Sequence, residues 1–231
     1  MKVVVINFSG NVGKSTVARH LLAPRMNKAP VIPVESINSD GTQDETIRGK
    51  QFGELQNDLS ILDDVVVDVG ASNVEDFVAM MKQYEGSHED YDYFVIPTVP
   101  KAKQQRDTIS TIEALSAIGI PAEKIRIVFN MVDIEENVSR IFSGIFDYAE
   151  LNKSCTINKA CVIHNNEIYG KINGSEKTIS QILNDPTDFK EMSKNANNSE
   201  EKIHYAQLLG IKRLATGVSK ELDNVFNILF K

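Results

Sequence analysis

Tryptophan is absent from this sequence, cysteine occurs only twice in 231 residues, and aromatic side chains make up 7% of the chain. Cys155 and Cys161 form no Cys-x-x-Cys pair and have no histidine cluster of metal-ligating spacing beside them. They read as buried or idle thiols of a reducing compartment, not as a metal site. Long apolar runs are also missing, and no stretch approaches the length that spans a bilayer, which excludes an integral membrane protein. The opening residues carry one lysine and too few apolar positions for a secretory signal, so no export is expected. These absences point to a soluble, cytoplasmic protein. Positive charge is in deficit too. A net charge of -7 argues against a surface that embraces nucleic acid throughout and leaves room only for a local basic patch. The length suits one large α/β domain or two small ones, and a single domain over residues 1–231 is the expectation.

What the sequence does contain is a phosphate cradle near its start. The run MKVVVIN reads as a buried strand; FSGNVGKST, Phe8 to Thr16, follows, and a helical pattern comes after it. The general pattern Gly-x-x-x-x-Gly-Lys-Ser/Thr ends correctly at Gly13, Lys14 and Ser15, but Phe8 stands where its first glycine belongs. Backbone N–H groups along Ser9, Gly10, Asn11, Val12, Gly13, Lys14, Ser15 and Thr16, together with the dipole of the following helix, suit a polyphosphate. Lys14 adds a point charge and Ser15 a hydroxyl for Mg2+. A plain strand-to-helix turn is the competing reading of the same residues.

Further along, ILDDVVVDVGAS delivers Asp68 at the carboxyl end of an apolar strand. In an open α/β sheet that end faces the same crevice as the phosphate loop, where a metal-bound water needs a carboxylate. The alternative for Asp68 is a cap on the next helix, although Ser72 or Asn73 can serve there. Additional strands are expected over Pro30 to Asn38, with Pro33 confining that strand to an edge, over Tyr91 to Pro100, and over Ile125 to Asp133. A last short strand is expected over Ala160 to Gly170, and a polar loop with a short helix over Ser39 to Leu59. Asn184 to Glu201 reads as an exposed loop, and the last segment as docked helices. Strands alternating with helices imply a doubly wound, mainly parallel sheet with helices on both faces, the architecture of P-loop nucleoside triphosphatases.

With the loop, the Asp68 strand and the Asn130 strand in place, the sequence resembles the ParA/MinD family of P-loop ATPases. The opening KVVVINFSGNVGKSTVARHLLAPRM is most similar to its plasmid-stabilisation subgroup, StbB. The resemblance implies ATP and Mg2+ held by the loop from Ser9 to Thr16, with Ser15 and Asp68 at the metal and Asn130 against the base. Asn130 bonding local backbone is the alternative, and the NMVD segment echoes the Asn-Lys-x-Asp guanine signature without its lysine. The sequence departs from the family at two places. Ser9 stands where a signature lysine reaches the partner subunit's nucleotide, with Arg48, Lys50, Lys101 and Lys103 as candidate replacements. Glu35, Ser36 and Ile37 stand where Asp-x-Asp is usual, which leaves Asp40 as the substitute for orienting the attacking water.

The resemblance further implies a nucleotide-dependent homodimer and a plasmid-encoded partner protein. Lys190, Lys194, Lys202, Lys212, Arg213 and Lys220 offer non-specific DNA contact through the C-terminal third, although interspersed acids also allow an ordinary solvated surface. Leu222, Val225, Phe226 and Leu229 suit a helix packed on the sheet better than one on a membrane. The leading expectation is a Mg2+-dependent ATPase switch in plasmid stability, segregation or positioning. A nucleotide-dependent adaptor with negligible hydrolysis comes second, and a small-molecule kinase on the same scaffold third.

Overall fold

The computed structural model describes residues 1–35, 45–173 and 177–231, the first five of the second range by their backbone alone. Six strands form one sheet: β1 (Lys2–Val5), β2 (Val31–Val34), β3 (Val65–Val69), β4 (Tyr93–Thr98), β5 (Ile125–Val132) and β6 (Val162–His164). Their order is β2-β3-β1-β4-β5-β6, and every pairing is parallel. All of β3 and the last three residues of β1 are buried, as strands in the middle of a sheet with helices on both sides must be. Val and Ile dominate these runs because β-branched side chains fit a pleated surface packed from above and below.

Strand β2 lies at the edge and pairs only with β3, so the donor that Pro33 lacks is not missed by a second neighbour. Order reverses at β1, whose neighbours are β3 and β4, and that switch point carries the glycine-containing loop. The helices follow in chain order. They are α1 (Lys14–Thr16), which continues as a π-helical stretch Val17–Leu22 and a 3-10 turn Ala23–Arg25, then α2 (Glu45–Ile61), α3 (Val74–Gln83) and α4 (Ala102–Ala117). After β5 come α5 (Val138–Ile141) and α6 (Ser143–Asn152); after β6 come α7 (Glu167–Ile172), α8 (Ile179–Asn184), α9 (Phe189–Lys194) and α10 (Ser199–Leu229).

The chain divides into two compact units, Met1–Asn165 with Val225–Lys231, and Asn166–Asn224. The first holds the sheet and a continuous core in which Phe52, Leu59, Phe77, Met81, Tyr91, Phe94, Ile112 and Leu115 are buried. Its last turns bury Val225 and Leu229, and the Phe230 ring centroid lies 4.8 Å from that of Tyr93 in β4, so the part of the apolar stripe within this unit packs as expected. The second unit is helical. Thr178 and Gln181 form a reciprocal capping box on α8, and Asp188 accepts from the amides of Lys190 and Glu191 to start α9. Lys212 Nζ donates to the Asp185 carbonyl at 2.6 Å and lies 5.7 Å from the centroid of the Phe189 ring.

Three stretches differ from the sequence reading. The segment expected as a loop over Asn184 to Glu201 contains α9, because Asp188 caps it and Phe189 is buried. The expected last strand stops at His164, where Asn166 caps α7 by accepting from the Ile168 amide. The short helix expected before Leu59 is the longer α2, which buries Phe52, Leu55 and Leu59. Among the described residues no helix is long and apolar enough to cross a membrane.

Candidate functional site

Strand β1 ends at Val5, and the chain turns through Ile6 to Val12 before α1 starts at Lys14. Gly13 precedes that helix with φ 82° and ψ 32°, a left-handed conformation that penalises any side chain. A Cβ at Gly13 would lie 2.2 Å from Asn130 Nδ2, so space as well as backbone angle demands glycine there. Gly10 has open surroundings, with nothing within 4 Å of a Cβ placed on it. The loop therefore meets the body of the protein at Gly13 and faces free space at Gly10. Gly10, Asn11 and Ser15 are exposed, Thr16 is half-buried, and Val12 is fully buried.

Lys14 is turned inward. Its ammonium donates to the carbonyls of Asn7 at 3.0 Å and Ser9 at 2.7 Å, and the side chain is 8% exposed. Burial lowers its pKa, and the charge of Asp68 partly restores it. Asp68 sits in β3 opposite Val5 in register and is likewise 8% exposed. The Ser15 hydroxyl hydrogen-bonds its carboxylate. Burial raises the Asp68 carboxyl above its ordinary range, the Ser15 bond and the charges of Lys14 and Arg19 oppose the shift, and Glu35 adds to it. The fold thus brings together Lys14, Ser15 and Asp68, and Asp68 serves Ser15 instead of capping a helix. A hydroxyl and a carboxylate side by side, next to an ammonium and an open glycine-containing loop, fit the donor set for a divalent cation and a polyphosphate.

The first half of the loop is held by α4. Asn7 Nδ2 donates to the Pro97 carbonyl and to Thr108 Oγ1, both at 2.9 Å, and the Phe8 amide donates to Thr111 Oγ1 at 3.1 Å. Ser9, only 4% exposed, donates its hydroxyl to Asp107 Oδ2 at 2.7 Å. Sequence reasoning found neither Asn7 nor Asp107, Thr108 and Thr111. Asn7 is a polar residue at the end of an apolar run, and the other three are polar residues in a helix whose apolar face is Ile109, Ile112 and Leu115.

Asn130, at 2% exposure, donates its amide to the Val12 carbonyl at 2.9 Å and so grips the loop from behind. The strand bulges beside it: Met131 adopts φ 56°, and the register with β6 shifts between Asn130 and Val132. Asp133 Oδ1 accepts from Asn165 Nδ2 at 2.6 Å. Asp40, with Ser36 and Ile37, lies outside the described residues, as does the side chain of Arg48. Lys50 stands on α2 and pairs with Glu54 at 3.9 Å, while the exposed Lys101 and Lys103 stand at the start of α4.

No family model and no curated protein matches the sequence. Solved structures do. A MinD cell division protein from Aquifex aeolicus, in its complex with MinC, aligns over 90% of this chain and 94% of its own at 15% identity, with a TM-score of 0.51. Apo McdA from Cyanothece aligns over 90% and 98% at 14% identity, with a TM-score of 0.52. The fold is the one MinD and McdA share. The doubly wound parallel architecture expected from strand and helix alternation is therefore borne out, at an identity low enough that the likeness speaks for the fold alone.

Proposed function

We propose that this chain is a Mg2+-dependent ATP-binding switch of the ParA/MinD type, nearest the StbB subgroup, which hydrolyses ATP weakly and serves plasmid stability, segregation or positioning in the cytoplasm. It acts as a nucleotide-dependent homodimer beside a plasmid-encoded partner protein. The observation that carries this reading is the Ser15 to Asp68 hydrogen bond at the head of α1, next to the inward-held Lys14 ammonium. Loop amides from Ser9 to Thr16 and the Lys14 ammonium would hold the phosphates, Ser15 and Asp68 the cation, and Asn130 the loop and the base side. The cation supplies neutralisation of phosphate charge. Asp40 is the residue assigned to orient water.

Adenine is favoured over guanine because Met131 replaces the lysine of the guanine signature and Asp133 already accepts from Asn165. Titration of ATP with Mg2+ into the purified chain tests the reading. Binding by the wild type and its loss in Lys14→Ala are expected. Absence of binding, or equal binding by the variant, overturns it.

A second reading, an adaptor that binds ATP and switches partners without appreciable hydrolysis, is favoured by Ser9. Its hydroxyl is buried and bonded to Asp107 of its own chain, so it supplies no charge to a neighbour's phosphate. Phosphate release measured with and without DNA and partner separates the two.

A further inference from the structure

We propose that Asn7 is a positioning residue that sets the strength of phosphate binding through Lys14; this rests on the ATP-binding reading above. Asn7 lies outside the glycine-containing motif, immediately before its first position, and is fully buried. Three of its polar groups have separate duties. Nδ2 donates to the Pro97 carbonyl of β4 and to Thr108 Oγ1 of α4, each at 2.9 Å. Oδ1 accepts from the Ser9 amide at 2.7 Å, and the backbone carbonyl accepts from Lys14 Nζ at 3.0 Å. Thr108 is itself fully buried, donates toward the Gln104 carbonyl at 2.8 Å and lies 2.9 Å from Thr98 Oγ1.

The physical consequence is preorganisation. Lys14 Nζ rests on two carbonyls, those of Asn7 and Ser9, and the Asn7 side chain fixes both: one through its own residue, the other through the Ser9 amide. A loop anchored in this way presents the ammonium in a single place before any phosphate arrives, so binding does not bear the cost of ordering it. Removing the amide leaves the Pro97 carbonyl and the Ser9 amide without partners in a closed interior, which loosens the two carbonyls together.

Calorimetric titration of ATP with Mg2+ into the full chain, in wild type, Asn7→Ala, Thr108→Val and Thr108→Ser, tests this alongside thermal unfolding. Asn7→Ala and Thr108→Val are expected to weaken ATP binding about tenfold, the equivalent of one lost buried hydrogen bond, while Thr108→Ser, which keeps the hydroxyl, binds as the wild type does. A merely structural role would make affinity follow the unfolding midpoint across both Thr108 variants. Wild-type affinity in Asn7→Ala, or equal weakening in Thr108→Ser and Thr108→Val, overturns the inference. If the wild type binds no ATP, the functional reading falls, and exchange of the Ser9 amide in the nucleotide-free protein decides the rest. Slow exchange in wild type and Thr108→Ser with fast exchange in Asn7→Ala and Thr108→Val upholds Asn7 as the anchor of the loop; identical exchange in all four removes it.

Discussion

The side-chain amide of Asn130 donates to the carbonyl of Val12 at 2.9 Å, so a residue of the fifth strand braces the glycine-containing loop from 118 positions away. The same amide stands where a Cβ on Gly13 would have to go. One contact therefore explains both a buried asparagine at a strand end and an obligatory glycine in the loop.

Gly13→Ala is expected to abolish ATP binding and lower the unfolding midpoint, since the left-handed backbone alone costs about 1–3 kcal/mol for a residue with a Cβ. Asn130→Ala leaves Val12 unpartnered and costs about 1–3 kcal/mol by itself. Because the two changes meet at one point, the double variant should be more stable than the sum of the single losses implies. Denaturant titration of all three variants checks this, and strict additivity would show that the clash is not what excludes alanine.

Asp68 yields a prediction with a sign. Burial raises its folded-state pKa above the ordinary carboxylate value, so folding costs its ionised form more than its protonated one. Stability from this group is complete below the unfolded pKa and is lost as pH rises through the folded one; at neutral pH the ionised carboxylate works against folding. Asp68→Asn should raise the unfolding midpoint of the nucleotide-free protein at pH 7, with the gain fading below about pH 4. The same variant should lose Mg2+-dependent ATP binding. A lower midpoint at pH 7 would contradict the assignment.

Ser9→Ala removes the donor to Asp107 and should destabilise the chain by about 1 kcal/mol, the worth of a partly buried hydrogen bond. Phosphate release should not change, because the hydroxyl is engaged within its own chain. A fall in release beyond about threefold would place Ser9 in the hydrolytic machinery instead.

On α10, the exposed Lys202, Arg213 and Lys220 are the residues to alter if the C-terminal third contacts DNA; Lys190 and Lys194 are exposed before it. Lys212 differs from them, since its ammonium already donates to the Asp185 and Thr187 carbonyls. Neutralising Lys202, Arg213 and Lys220 should weaken non-specific DNA binding and reduce its salt slope by roughly 0.9 per lost phosphate contact, whereas Lys212→Met should lower stability and leave the slope alone. Fluorescence anisotropy across a salt series distinguishes these outcomes.

Much of the fold and the glycine-containing loop of the candidate site was legible from local pattern. Gly13, Lys14 and Ser15 are contiguous, and the apolar strands before the loop and before Asp68 are continuous runs. Strand β2 carries its own edge marker in Pro33. Helix α9 starts at a single capping residue, Asp188, within a polar stretch that otherwise reads as loop, and α7 starts at Asn166 inside a segment that reads as the continuation of the last strand.

What the sequence by itself determined is a strand, a glycine-containing loop and a carboxylate strand, since each is written in residues next to one another and in the period of their apolar positions. Only the tertiary structure decided how the loop is held: Asn7 by Pro97 and Thr108, Ser9 by Asp107, Val12 by Asn130. Those partners lie 90 to 118 residues apart. No local periodicity records them, because hydrogen bonds of this kind are set by which strand and helix the parallel crossovers bring beside β1, and a lone buried asparagine or serine looks the same in sequence whichever neighbour it meets.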